Sequence, residues 1–168
     1  MKNKGILMAM LLTMTSSVMF VSCNPPIQDW APIEIYIKVC NADGQNLLDS
    51  LTPNNFVDKE ISAEWMGETY VADTISYRKK QFMTRTYLPE MHGLMYGIKD
   101  EVKVLYFGEI AGDGDYDDEQ LTFYWPDGST DIIAIKNKTY FSSADRTFKL
   151  NGEVVAKDTG RPFIDIVK

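Results

Sequence analysis

From Ile33 to Val167 the chain is written in short apolar-polar runs separated by turn residues, and no stretch repeats its apolar residues at a helical spacing. A period of two sends successive side chains to opposite faces of a strand, so such runs can bury their apolar half only by assembling into sheets. Ile33, Ile35, Ile37 and Val39 line one face of the first run, with Glu34, Tyr36, Lys38 and Cys40 on the other. Ile61, Ala63 and Trp65 share a face in the next run, which Met66-Gly67-Glu68 closes as a hairpin. Val102, Val104 and Tyr106, then Leu121, Phe123 and Trp125, then Asp131 to Lys136 read as three strands of one meander, with Trp125-Pro126-Asp127-Gly128 as a tight turn. Shorter runs follow at Thr139 to Phe141, Thr147 to Leu150, Glu153 to Ala156 and Phe163 to Val167, and Asn151-Gly152 is a strong hairpin signal. The expectation is an all-β domain, an antiparallel two-sheet β-sandwich of about eight to ten strands.

The punctuation between the runs is of ordinary turn chemistry. Asn41-Ala42-Asp43-Gly44 suits a reversal, Thr52 to Asp58 with Pro53 reads as a loop, and Pro89 to Gly97 reads as a bent loop around the only histidine, His92.

The residues before Ile33 carry a different message. Lys2 and Lys4 precede an apolar run from Ile6 to Val21 that Thr13, Thr15, Ser16 and Ser17 interrupt, so it falls short of the roughly 20 apolar residues a spanning helix needs. It reads as a secretory signal over 1–22. Phe20-Val21-Ser22-Cys23 resembles the lipobox of bacterial lipoproteins, in which the cysteine is diacylated and becomes the new N-terminus. Cleavage there removes 22 of 168 residues and leaves 146, of which 23–31 form an acylated, proline-containing tether and 32–168 a single domain.

Charge narrows the partners. The whole chain has a net charge of −7, and loss of Lys2 and Lys4 leaves 15 basic against 24 acidic side chains, a net −9. That sign argues against nucleic acid and against a basic hold on anionic lipid, so the membrane attachment rests on the acyl chains of Cys23. Acylation of Cys23 also leaves Cys40 without a disulfide partner.

The acidic stretch Ala111 to Gln120 (AGDGDYDDEQ) is the one place that suggests an ion. Asp113, Asp115, Asp117 and Glu119 stand at alternate positions, and calcium takes several carboxylate and carbonyl oxygens in glycine-containing loops of this kind. The first three aspartates match the opening of an EF-hand loop, but Asp118 stands where that loop needs glycine and Tyr124 where it needs a bidentate glutamate. The competing reading is a solvated hairpin tip. Arg78, Lys79, Lys80 and Arg85, interleaved with Tyr77, Phe82 and Tyr87, form the one basic patch, read as a solvated face or as a groove for an acidic ligand. Of the many aromatics, Tyr36 and Tyr124 lie opposite the more apolar face of their strands and are expected to be exposed, where they could stack on a sugar or a protein partner.

Catalytic constellations are missing. A triad needs a histidine held by an acid beside a distinctive serine, and zinc needs three or four nitrogen and sulfur ligands; one histidine and one free cysteine supply neither. The acidic side chains could include a glycosidase pair, but no spacing singles one out.

Phe20-Val21-Ser22-Cys23, the Asp29-Trp30-Ala31-Pro32 lead into IEIYIKV, and FGEIAGDGDYDDEQLTFYWPDGSTDII together resemble the small envelope lipoproteins of Bacteroidetes. The resemblance implies an outer-membrane lipoprotein with an immunoglobulin-like or transthyretin-like sandwich, and it transfers no functional residue. Surface export in those bacteria goes with acidic residues soon after the lipidated cysteine; Asn24-Pro25-Pro26-Ile27-Gln28 has none, which predicts a periplasm-facing protein. Four functions follow as expectations. The first is a non-enzymatic lipoprotein binding a protein or glycan partner, and the second a calcium-binding or calcium-stabilised module. A fimbrial or other assembly subunit and a small hydrolase are the remaining two.

Overall fold

The computed structural model describes residues 30–72, 93–140 and 143–168. Ten strands follow in chain order: β1 (Ile33–Cys40), β2 (Ser62–Trp65), β3 (Glu68–Val71), β4 (Leu94–Lys99), β5 (Val102–Ile110), β6 (Tyr116–Tyr124), β7 (Thr130–Thr139), β8 (Ala144–Leu150), β9 (Glu153–Lys157) and β10 (Phe163–Val167). They form a four-stranded sheet, β10-β1-β5-β4, and a six-stranded sheet, β3-β2-β6-β7-β8-β9, with no helix among the described residues. The all-β, two-sheet expectation is therefore met. All pairs are antiparallel except β1 with β10, where Tyr36 to Cys40 run parallel to Phe163 to Val167.

The inward faces meet in one core. Ile33, Ile35, Ile37 and Val39 of β1, Leu105 and Phe107 of β5, and Ile164 and Ile166 of β10 pack against Ala63 and Trp65, Leu121 and Phe123, Ile133 and Ile135, and Phe148 from the other sheet. This is the burial that the period-two pattern demands, and each large aliphatic or aromatic side chain hidden contributes about 1.5–3 kcal/mol.

The predicted turns form as expected. Trp125 and Ser129 close the Trp-Pro-Asp-Gly turn, with Gly128 N donating to Trp125 O at 2.9 Å and Trp125 N to Ser129 O at 3.0 Å. Asn151 and Gly152 both take positive φ, 50° and 92°, the two-residue geometry that joins twisted antiparallel strands. Met66 and Gly67 do the same between β2 and β3, at 51° and 82°.

Three sequence readings are corrected. Val102 to Lys136 is not a meander, because β5 lies in the four-stranded sheet while β6 and β7 lie in the six-stranded one. Alternation dictates which face of a strand is buried and is silent on which edge it joins; β6 takes β2 as its second neighbour, with Ala63 opposite Phe123 and Trp65 opposite Leu121. Of the stretch Pro89 to Gly97, read as a loop, Leu94 to Gly97 belong to β4, paired to β5, where Gly97 leaves room for the Tyr106 ring. Trp30 and Ala31, assigned to the tether, lie against the domain: Trp30 stacks over the Arg146 guanidinium at 5.7 Å, and a Cβ on Gly112 would overlap the Ala31 carbonyl.

Candidate functional site

Because β5 and β6 belong to different sheets, Ala111 to Asp115 is a crossover between layers and not a hairpin tip. Its carbonyls are held from beneath. Asn137, fully buried on the inner face of β7, donates its amide to Gly112 O at 3.2 Å and to Gly114 O. Arg146 of β8, 9% exposed, donates Nε to Asn137 Oδ1 at 2.8 Å and Nη2 to Gly112 O at 3.1 Å. A bound calcium would recruit such carbonyl oxygens, but here N–H donors already occupy them and a guanidinium supplies the positive charge.

The carboxylates of the stretch are also dispersed. Asp113 stays in the crossover, and Asp115 Oδ1 accepts Thr139 N at 3.4 Å. Asp117 pairs with Lys136 at 3.2 Å, a contact that holds the Lys136 amine above its ordinary pKa, and Asp118 takes Lys149 at 2.8 Å. Between Tyr116 and Glu119 the β6 ladder is bulged, with Asp118 at φ 61°. Glu119 stands opposite Ile135 and, with Glu64, Asp118 and Thr122, lines a shallow open cleft beside the β2–β3 turn. Among the described residues no group of three or more His, Cys, Asp or Glu is placed to hold a metal ion, so the structure does not bring Asp113, Asp115, Asp117 and Glu119 together. Millimolar calcium is accordingly expected to leave the melting temperature where chelator leaves it. A rise of several degrees in a calorimetric or fluorescence melt would show that the stretch rearranges around the ion.

Of the two tyrosines expected at the surface, Tyr124 is 41% exposed, its hydroxyl donating to Glu64 Oε2 at 2.9 Å across to β2. Tyr36 is buried at 3%. The pattern placed it on the outer face correctly, but β1 is an interior strand, and its neighbours in register are Tyr106 on β5 and Phe163 on β10. The Tyr106 ring meets it edge-on at 4.6 Å, Lys99 lies over it at 5.2 Å, and its hydroxyl donates to Glu34 Oε2 at 2.9 Å. Desolvation first, and the Glu34 carboxylate second, push the Tyr36 hydroxyl well above the ordinary tyrosine range. Tyr106 and Tyr116 move the same way, again chiefly through burial, and Tyr70 is pushed up to about 12 by desolvation and Glu68.

These shifts have a sign. A tyrosine that ionises less readily in the folded chain than in the unfolded one contributes stability below its unfolded pKa of 10.0 and loses it as pH rises through the folded value. Stability should therefore hold up to about pH 10 and fall continuously above it, as unfolded tyrosines take on a charge the native ones resist. Urea unfolding across that range, read beside the phenolate absorbance of the native protein, checks it; native tyrosines titrating together near 10.0 would refute the packing described.

Cys23, the basic cluster Arg78, Lys79, Lys80 and Arg85, and His92 lie outside the described residues.

A second polar cluster was not singled out from the sequence. Asp131, 7% exposed, sits at the start of β7 on the face that Ile133, Ile135 and Asn137 continue inward. Its Oδ2 accepts Trp125 Nε1 at 2.7 Å, its Oδ1 accepts Asn151 Nδ2 at 2.7 Å, and Lys168 Nζ contacts Oδ2. Lys168 Nζ also donates to Ser129 Oγ at 2.8 Å and lies 5.0 Å from the Trp125 ring, while its backbone N donates to Cys40 O at 2.8 Å. Thus a residue following β10, in the four-stranded sheet, reaches across the end of the sandwich to β7 in the six-stranded one. The available signal was the inward register of Asp131 and Asn137 in a strand whose other inward residues are isoleucines, since a buried polar group must find partners. Among the described residues no buried side-chain nitrogen or oxygen lacks one.

No family model, no curated protein and no solved structure matches the chain.

Proposed function

We propose that the protein is a lipid-anchored envelope protein, attached through Cys23 and facing the periplasm, whose sandwich acts by binding a protein or glycan partner and not by catalysis. The observation that supports this reading is that, among the described residues, β9 and β10 are edge strands of the two sheets and carry apolar side chains outward. Val154 and Val155 of β9 are 52% and 42% exposed, and Phe163 and Val167 of β10 are 41% and 68% exposed. Natural sheets blunt an open edge with bulges, prolines or charges, or they use it. β9 is bulged opposite Phe148 and Lys149, whereas β10 keeps an unbroken register on β1 with only Asp165 as a charge in its span. An extended segment added along β10 would take main-chain hydrogen bonds from the edge and side-chain contacts from Phe163 and Val167.

The test follows from the register. Tyr36 N donates to Pro162 O and Lys168 N to Cys40 O, so even-numbered residues of β10 bond β1 and the N–H of Asp165 points to the free side. Asp165→Pro removes that donor without removing a ladder bond. The lipidated chain, tagged and purified from detergent-solubilised envelopes, should co-purify a partner that Asp165→Pro loses. Failure to recover any partner, together with no signal on a glycan array, would remove the reading.

A further inference from the structure

The cluster at the end of the sandwich places an amine against a carboxyl group in a largely buried, donor-lined site, and we propose that it is a self-modification site, where Lys168 Nζ condenses with Asp131 Cγ to form an intramolecular amide. Three observations carry it. The nitrogen of Lys168 is already against Asp131 Oδ2, and Ser129 Oγ at 2.8 Å and the Trp125 ring at 5.0 Å hold it there. The two side chains are only 9% and 10% exposed, so the ion pair bears a desolvation penalty that a neutral amide would not. Both carboxyl oxygens face fixed donors, Asn151 Nδ2 on Oδ1 and Trp125 Nε1 on Oδ2, each at 2.7 Å.

Each partner then has a step. Proton transfer within the contact turns the ion pair into an amine and a carboxylic acid protonated at Oδ2. The amine attacks Cγ, and charge gathers on Oδ1, where the Asn151 N–H sits ready to hold an oxyanion. The second proton shed by the nitrogen passes to Ser129 Oγ, which Asp127 Oδ1 backs at 2.6 Å, and returns to the departing oxygen. The C–N bond forms, the bond from Cγ to Oδ2 breaks, and one water leaves; no oxidant, reductant or co-reactant is consumed. Asp131 and not Asn151 is the electrophile, because the amine touches the carboxylate directly. The Asn151 carbonyl is engaged elsewhere, accepting Ile132 N at 2.9 Å. This is a single turnover within the chain, independent of the binding function, and its product is a covalent tie between the two sheets.

Mass spectrometry of the purified full chain after trypsin decides it. The peptide 104–136, which holds Asp131, should appear joined to the peptide 158–168, which holds Lys168, at the sum of their masses less one water. The joined pair is the deciding readout, because a succinimide at Asp127-Gly128 would lose the same mass without a link. Lys168→Arg, which keeps the charge but cannot form this amide, should yield the two peptides separately. Recovery of both free and unmodified peptides from the unaltered chain overturns the proposal. A link to the Asn151 peptide with loss of ammonia overturns it as well.

Discussion

Replacing Asp131 with alanine should lower the free energy of unfolding by about 3–5 kcal/mol relative to the chain in which Asp131 and Lys168 are still an ion pair. The side chain serves three donors at once, Trp125 Nε1, Asn151 Nδ2 and Lys168 Nζ, and it does so at 7% exposure. Alanine strands all three and leaves a buried ammonium with no counter-charge, which is the expensive half of breaking a buried pair. Asp131→Asn separates the parts of the effect. It keeps an acceptor for one donor but not the charge, so its loss should be smaller than that of alanine. Urea unfolding followed by far-ultraviolet circular dichroism, with the slope checked for constancy, measures both. A loss under about 1 kcal/mol for alanine would mean that water enters the site and replaces the carboxylate.

Arg146→Met should cost about 2–3 kcal/mol, and its local consequence matters more than its size. Methionine fills a similar volume but gives no hydrogen bond to Asn137 Oδ1 or Gly112 O, which Arg146 meets at 2.8 and 3.1 Å. Asn137 Oδ1 then stays buried without its charged donor, and Trp30 loses the guanidinium under its ring. Amide exchange in Gly112 to Gly114 should accelerate ahead of exchange in the core strands, because the crossover loses a clamp and the sheets do not. Arg146→Lys should recover only part of the stability, since a single ammonium does not reproduce the two directed donors of the guanidinium. Uniform acceleration throughout the domain would show instead that Arg146 stabilises the fold as a whole.

Both predictions concern residues whose importance was only partly written in their neighbourhoods. The acidic stretch from Asp113 to Glu119 is conspicuous in the chain, and its repulsion suggested an ion. The cations that answer it come from elsewhere: Lys136 is 19 residues from Asp117, Lys149 is 31 from Asp118, and Arg146 is 34 from Gly112. Register on β7 and β8 brings them there, and register is a property of pairing. Tyr36 shows the same limit from the other side. Its position on the outer face was legible, but its burial depended on β1 having neighbours on both edges.

The sequence by itself determined the fold class, the faces of most of the strands it identified and most of the turns, because these follow from forces acting within a few residues: side-chain alternation, the backbone angles of Asn, Asp and Gly, and the restriction of proline. On β5 it misled, since Leu105 and Phe107 face the core where Val102, Val104 and Tyr106 were the residues it picked out. Which strands are neighbours, that β5 and β6 part to different sheets, that β10 runs parallel to β1, and that Lys168 meets Asp131 were decided only by the tertiary structure. The physical reason is that a strand presents the same hydrogen-bonding groups along both edges to any partner. The choice among partners is made by the joint packing of two faces, a sum over residues far apart in the chain.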